Sequence, residues 1–282
     1  MTQALFSRPA SVAEAVALLA DPCASPLAGG TDYFAARVGH QPAGRLVDLT
    51  GIAGLRGVIQ LAGGGWRIGA ATTWRDLIAA ALPPAFDGLK LAAREIGGAQ
   101  VQNCGTVGGN LCNASPAADG VPPLLALDAV VELRGADGPR TLPLAQFITG
   151  PRRTARRPGE LLTAVLIPGA SVRGGSHFLK LGARRYLLIS IAMVAAGVDS
   201  DAQGRVVAVR IAVGACSAAA ARLTTLEQRL LGVAVSDLAR TRVVATDLQG
   251  LDPIDDVRAT RTYRLDAVAT LVPRVLRAIV GA

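Results

Sequence analysis

Apolar residues recur along this chain with two periods, near 3.6 and near 2, and the switches between them lay out its elements. Ser11-Val-Ala-Glu14 has the form of a capping box, and Val12, Val16 and Leu19 share one face of the helix it opens, which predicts a helix to about Ala20. Pro26 and the pair Gly29 and Gly30 predict an end to regular structure before Thr31. Residues 45–49 alternate as a short strand, and 57–61 with 66–70, joined by three glycines at 63–65, read as a β-hairpin. Thr73-Trp-Arg-Asp76 opens a further helix, residues 86–96 continue as another, and a second glycine-rich loop follows directly.

The same reading continues with a short helix at 122–127, a strand at 130–133, a turn at 135–138 into 140–142, and an apolar strand at 160–167 that Pro168 stops. Residues 169–175, Gly-Ala-Ser-Val-Arg-Gly-Gly, are small and flexible and predict a domain boundary between Pro168 and Ser176. Beyond it, 177–181, 189–199 and 206–213 read as three strands with a turn at 199–204. The segments 223–231, 236–248 and 263–279 read as helices, the last despite Pro273. The fold class predicted is α+β: an N-terminal domain over 1–168, and a C-terminal domain over 176–282 of a three-stranded sheet with a helical bundle.

Composition narrows this picture. A chain of 282 residues has room for two domains of ordinary size. Its mean hydropathy of +0.39 owes much to Ala and Gly, and its longest apolar run, within 187–198, is too short for a bilayer. The N-terminal residues lack the basic cluster and continuous apolar run of an export signal, and Cys23, Cys104, Cys112 and Cys216 form neither a disulfide framework nor a C-x-x-C pair. A reducing cytoplasm fits. The thiols at 104 and 112 read as buried small apolar groups, and His40 and His177 match no triad or metal spacing.

The net charge of +8 rests on arginine, since lysine occurs only at 90 and 180, and the arginines are dispersed apart from Arg152, Arg153, Arg156 and Arg157. That group reads as a solvated loop or as a docking surface for an acidic partner or cofactor, with nucleic acid the weakest reading.

The chemistry concentrates in two small-residue segments, Ala28-Gly-Gly-Thr-Asp32 and Cys104-Gly-Thr-Val-Gly-Gly-Asn-Leu-Cys-Asn-Ala-Ser-Pro-Ala-Ala-Asp119. Neither has a Gly-Lys-Ser/Thr ending or the G-x-G-x-x-G spacing, so a bound nucleotide is held by a fold other than the P-loop or Rossmann types. Gly105, Gly108 and Gly109 allow close backbone approach, Thr106, Asn113 and Ser115 add uncharged donors, and Asp119 adds an acceptor suited to a sugar hydroxyl. Each loop could be a tight turn alone. Together they predict a cradle for an extended diphosphate.

These two segments resemble the FAD-pyrophosphate motifs of the flavoprotein (medium) subunit of molybdenum hydroxylases, the xanthine dehydrogenase and carbon monoxide dehydrogenase family. Residues 157–168, 178–197 and 255–264 resemble further segments of that subunit, so the likeness spans nearly the whole chain. It implies a vanillyl-alcohol-oxidase (PCMH)-type FAD-binding domain with subdomains over about 1–54 and 55–168. It also implies that Ala28, Gly29, Gly30, Thr31 and Asp32 wrap the pyrophosphate with Thr106, Gly108, Gly109 and Asn110. Asn113, Ser115 and Asp119 would hold phosphate or hydroxyl groups, Tyr33 would touch the cofactor, and Leu162 and Lys180 would lie near the flavin ring. Lys180 as a solvated edge charge and Leu162 as ordinary core stay open as alternatives, and Tyr186 could stack on the ring or close a hydrophobic loop.

Function follows from the resemblance as an expectation: an oxidoreductase subunit carrying FAD, with molybdopterin in a large partner subunit and 2Fe-2S clusters in a small one. It would take electrons from those clusters and pass them to an acceptor such as NAD. Residues 180–190 lack the acidic groups that xanthine-oxidising members tend to carry, a departure that bears on NAD as acceptor. The alternatives are a self-standing flavin oxidase or reductase of the same fold, and a scaffold that has lost the cofactor. No catalytic residue, metal ligand, nucleic-acid partner or membrane span is expected in this chain.

Overall fold

The computed structural model describes residues 5–38, 44–184 and 188–281. At the N-terminus, β1 (Leu5–Ser7), α1 (Val12–Leu19), β2 (Ala24–Leu27), α2 (Thr31–Ala35) and β3 (Arg45–Asp48) form a small unit whose three strands lie parallel in the order β1-β3-β2. The Ser11 hydroxyl caps α1 by accepting from the Glu14 N–H, and Ala15, Val16 and Leu19 pack on Val47, Leu49 and Leu55. Regular structure does break before Thr31, since β2 ends at Leu27, but Pro26 itself does not end it. It lies in β2, an edge strand, where a missing N–H costs no ladder bond.

The second unit contains β4 (Val58–Gln60), β5 (Trp66–Gly69), α3 (Trp74–Ala79), α4 (Asp87–Glu95), α5 (Ala99–Cys104), α6 (Val107–Asn113) and α7 (Val121–Ala126). It continues through β6 (Val130–Gly135), β7 (Gly138–Pro143), α8 (Leu144–Phe147), β8 (Ile148–Gly150), β9 (Arg153–Thr154) and β10 (Leu161–Ile167). Its antiparallel sheet runs β4-β5-β10-β6-β7, with β8 and β9 as a separate small hairpin. Thr73 and Asp76 close a reciprocal capping box on α3, which drives Trp74 and Leu77 into the core. The first part of the segment read as a second glycine-rich loop is helical, with residues 107–113 forming α6. Gly108 sits inside α6 because that helix crosses Ala70 so closely that a Cβ there would lie 2.7 Å from the Ala70 side chain.

The C-terminal unit comprises β11 (Gly175–Leu181), β12 (Ala192–Ser200), β13 (Val206–Gly214), β14 (Ala221–Arg222), α9 (Thr224–Leu230) and α10 (Arg261–Val280). The three expected strands pair antiparallel, and the two-residue β14 adds a fourth beside β13. Along β12, Val194, Ala196 and Val198 join the core beneath α10, while Met193 and Ala195 join Ala92 of α4 and Ala126 of α7. The sheet is thus covered on both faces, which explains why its strands read as near-continuous apolar runs. Residues 236–248 are not one helix but two 3-10 turns, Val235–Arg240 and Ala245–Leu248. The intervening Thr241, Val243 and Val244 are poor helix formers, and buried Asp247 is instead held by Arg229 at 2.6 Å. Pro273 is accommodated within α10.

Candidate functional site

Two backbones that are far apart in sequence meet at the base of one crevice. β2 delivers Ala28 and Gly29 to the point where α5 turns into α6, and a Cβ built on Gly29 would lie 1.9 Å from the Cys104 carbonyl oxygen. Gly30 then takes a left-handed φ of +70°, which turns the chain into α2. Only glycine satisfies both demands. Gly105 is held against the same seam, with its carbonyl accepting from the Trp74 N–H at 3.1 Å.

The crevice above this seam encloses about 860 Å³, within the roughly 300–1,000 Å³ expected for cofactor sites. It gathers the expected residues Ala28, Gly29, Gly30, Thr31, Asp32 and Tyr33 from the first segment, with Thr106, Gly108, Gly109, Asn110 and Asn113 from the second. Leu162 lines its apolar wall while only 2% exposed, so it serves core and crevice together. Ser115, Asp119 and Lys180 are not brought to this wall. Tyr186 and His40 lie outside the described residues.

The polar groups divide by segment. The N–H of Gly108 donates to the Ala70 carbonyl at 2.8 Å, that of Gly109 to the Thr106 hydroxyl at 3.0 Å, and that of Asn110 to the Thr106 carbonyl at 3.0 Å. The second segment therefore contributes surface without side chains more than free amides. The first turn of α2 has N–H groups with no helical acceptor, and Gly30 offers no side chain to cap them. Asn110 Oδ1 is buried without a partner. These features, a glycine cradle that a Cβ would fill, uncapped amides and an orphaned amide oxygen, fit an elongated polar ligand such as a dinucleotide.

Across the mouth, the Asn113 side-chain amide donates to Asp32 Oδ1 at 2.8 Å, which ties the second segment to the first. Three guanidinium groups line this wall: those of Arg152 and Arg156, from the cluster read as a solvated loop or as a docking surface for an acidic partner or cofactor, and that of Arg37, which the sequence did not single out. Arg37, two residues past the end of α2, stands 3.8 Å over the Tyr33 ring, a contact that the four-residue spacing of the two could have suggested. Arg156 donates to the Glu160 carbonyl, while Glu160 takes two hydrogen bonds from Arg140, at 2.6 and 2.7 Å. Those bonds hold the Glu160 carboxyl below its ordinary range. The arginine cluster is therefore divided, with Arg152 and Arg156 turned to the crevice and Arg153 and Arg157 exposed elsewhere.

Asp119 and Lys180 meet each other instead, at 2.8 Å between largely buried side chains. The Ser190 hydroxyl donates to the second Asp119 oxygen at 2.6 Å, and Lys180 also donates to the Glu95 carbonyl at 3.2 Å. Burial pushes the Asp119 carboxyl upward, against the pull of the ammonium and the hydroxyl. A solvated edge charge is excluded for Lys180, whose side chain is 6% exposed.

Cys104 and Cys112 are exposed, contrary to their reading as buried apolar groups, and Cys112 lines the crevice. Among the described residues no three His, Cys, Asp or Glu side chains assemble as a metal site, and no helix is long and apolar enough to cross a membrane.

The family model described as the FAD binding domain in molybdopterin dehydrogenase matches residues 2–170, and that of the CO dehydrogenase flavoprotein C-terminal domain matches 177–279. The xanthine dehydrogenase FAD-binding subunit of Escherichia coli O157:H7 is 33% identical over 284 residues, covering 99% of this chain and 97% of that protein. The carbon monoxide dehydrogenase medium chain of Afipia carboxidovorans is 31% identical over 289 residues, covering 96% and 94%. In three dimensions the chain is similar to a chain of a crystal structure of Cu,Mo-CO dehydrogenase, with a TM-score of 0.89, 28% identity and coverage of 100% and 99%.

Proposed function

The chain belongs to the FAD-binding subunits of the molybdopterin dehydrogenases, and from that premise we propose that its crevice holds one FAD and that it passes electrons between partner subunits and an external acceptor. The observation that carries this reading is the seam at Gly29 and Cys104, which makes one crevice from segments about seventy residues apart in sequence.

Ala28, Gly29, Gly30, Thr31 and Asp32 would bind the diphosphate through the uncapped turn of α2, with Thr106, Gly108, Gly109 and Asn110 closing the opposite side. Asn113 would hold hydroxyl groups and Tyr33 and Leu162 would supply contact surface, while Ser115, Asp119 and Lys180, which lie off this wall, would touch the cofactor only where it extends beyond the crevice. FAD supplies chemistry that joins single-electron carriers to two-electron acceptors. The protein's own part is to fix position, exclude water from the apolar wall and set the local field.

Relatives named for xanthine and for carbon monoxide match this chain over 97% and 94% of their own lengths. Such different substrates on one scaffold support a substrate pocket in another polypeptide, a molybdopterin-binding large subunit, with 2Fe-2S clusters in a small subunit feeding this one. NAD is the acceptor we propose to test first, and the cytoplasm is the compartment that the thiol content fits.

The test is to purify the chain alone and with its partners, then follow flavin absorbance anaerobically. Bound FAD that bleaches with dithionite in the isolated chain, but with organic substrate only in the complex, is the expected result. Turnover of an organic substrate by the isolated chain would instead establish a self-standing oxidase.

A further inference from the structure

Arg152 occupies a backbone conformation that its side chain does not favour. Its φ is +58°, in the left-handed region, and it faces a second left-handed residue, Ala114 at φ +46°, to whose carbonyl its N–H donates at 2.8 Å. An L side chain there is costly, and glycine would fill the turn without strain. The conformation delivers the guanidinium to the crevice, where Nη1 donates to Asn113 Oδ1 and lies 3.5 Å from the Asn113 carbonyl oxygen. Asn113 in turn donates to Asp32, so Arg152, Asn113 and Asp32 form one relay across three walls of the mouth.

The charges around it give this placement a purpose. Asp32 puts a carboxylate on the crevice wall, and a diphosphate entering beside it meets repulsion, whereas both oxygens of the Glu160 carboxylate are taken up by Arg140. Arg37 is engaged on the Tyr33 ring, and Arg156 donates to the Glu160 carbonyl. Among the described residues the Arg152 guanidinium forms no ion pair, and its hydrogen bonds, both to Asn113, engage Nη1 alone.

We propose that Arg152 is a specificity-determining residue for the cofactor, supplying the positive charge that selects a flavin bearing a diphosphate over riboflavin. This inference rests on the proposed FAD site. Its test compares FAD and riboflavin binding to the full chain by fluorescence titration, at low and high salt, for the natural protein, Arg152→Gly and Arg152→Lys.

Arg152→Gly keeps the turn and removes the strain, so its melting temperature should equal or exceed that of the natural protein. Its FAD affinity should fall about tenfold, the scale of one charge-assisted hydrogen bond, with a weaker salt dependence and unchanged riboflavin affinity. Arg152→Lys should recover part of the loss. Equal FAD affinity in Arg152→Gly, or a parallel fall for both ligands, would overturn the assignment while leaving the FAD site intact. A natural protein that binds neither flavin would remove the site itself.

Discussion

Gly29 and Cys104 touch backbone to backbone, with the position of a Gly29 Cβ only 1.9 Å from the Cys104 carbonyl oxygen. That contact fixes the distance between the two small-residue segments and hence the width of the crevice. Because the opposing atom is main chain, no rotamer change can relieve an added methyl group.

Gly29→Ala is therefore expected to push the segments apart, at about 1–3 kcal/mol of overpacking. FAD affinity should fall by about tenfold or more, read by absorbance after gel filtration, alongside a lower melting temperature. An unchanged affinity would show that the seam does not shape the cofactor site.

The ion pair between Asp119 and Lys180 makes a second prediction, because each charge is buried and each depends on the other. Lys180→Met or Asp119→Leu alone should cost about 3–5 kcal/mol in urea unfolding, since either leaves an unpaired charge inside the protein. The double variant should recover about 2 kcal/mol as coupling. A shift in the bound-flavin absorption maximum in Lys180→Met, compared with the natural protein, would place the ammonium against the ring.

Glu160 gives the acid limb of stability. Its carboxyl is held below its ordinary value of 4.5, first by the Arg140 hydrogen bonds. A carboxylate with a lowered folded value contributes fully above about pH 4.5, and that contribution disappears as pH falls through the lowered value. Glu160→Gln should reduce the melting temperature by roughly 5 °C at pH 7, and the gap should narrow steadily towards pH 3. A gap that is constant with pH would remove the ion pair as its cause.

Much of the fold was legible where local chemistry and packing agree. The capping residues Ser11 and Thr73 opened helices as their spacing indicated, and the hairpin around Gly63-Gly64-Gly65 formed in place. Glycine misled where tertiary packing overrides propensity. Gly108 and Gly109 read as loop but lie in α6, because the approach to Ala70 and the Thr106 cap demand small residues there. The crevice residues near the two motifs were legible because the chemistry of small residues and uncapped amides is local. Arg37 was not, and Arg152 and Arg156 stood open between a solvated loop and a docking surface for a partner or cofactor, since only the fold brings the turn between β8 and β9 to the crevice.

If both segments close on a single FAD, hydrogen–deuterium exchange with and without the added cofactor will report it. One equivalent of FAD should slow exchange together in peptides covering residues 28–33 and 105–113. Protection of only one of these peptides, or of neither at saturating FAD, would contradict it.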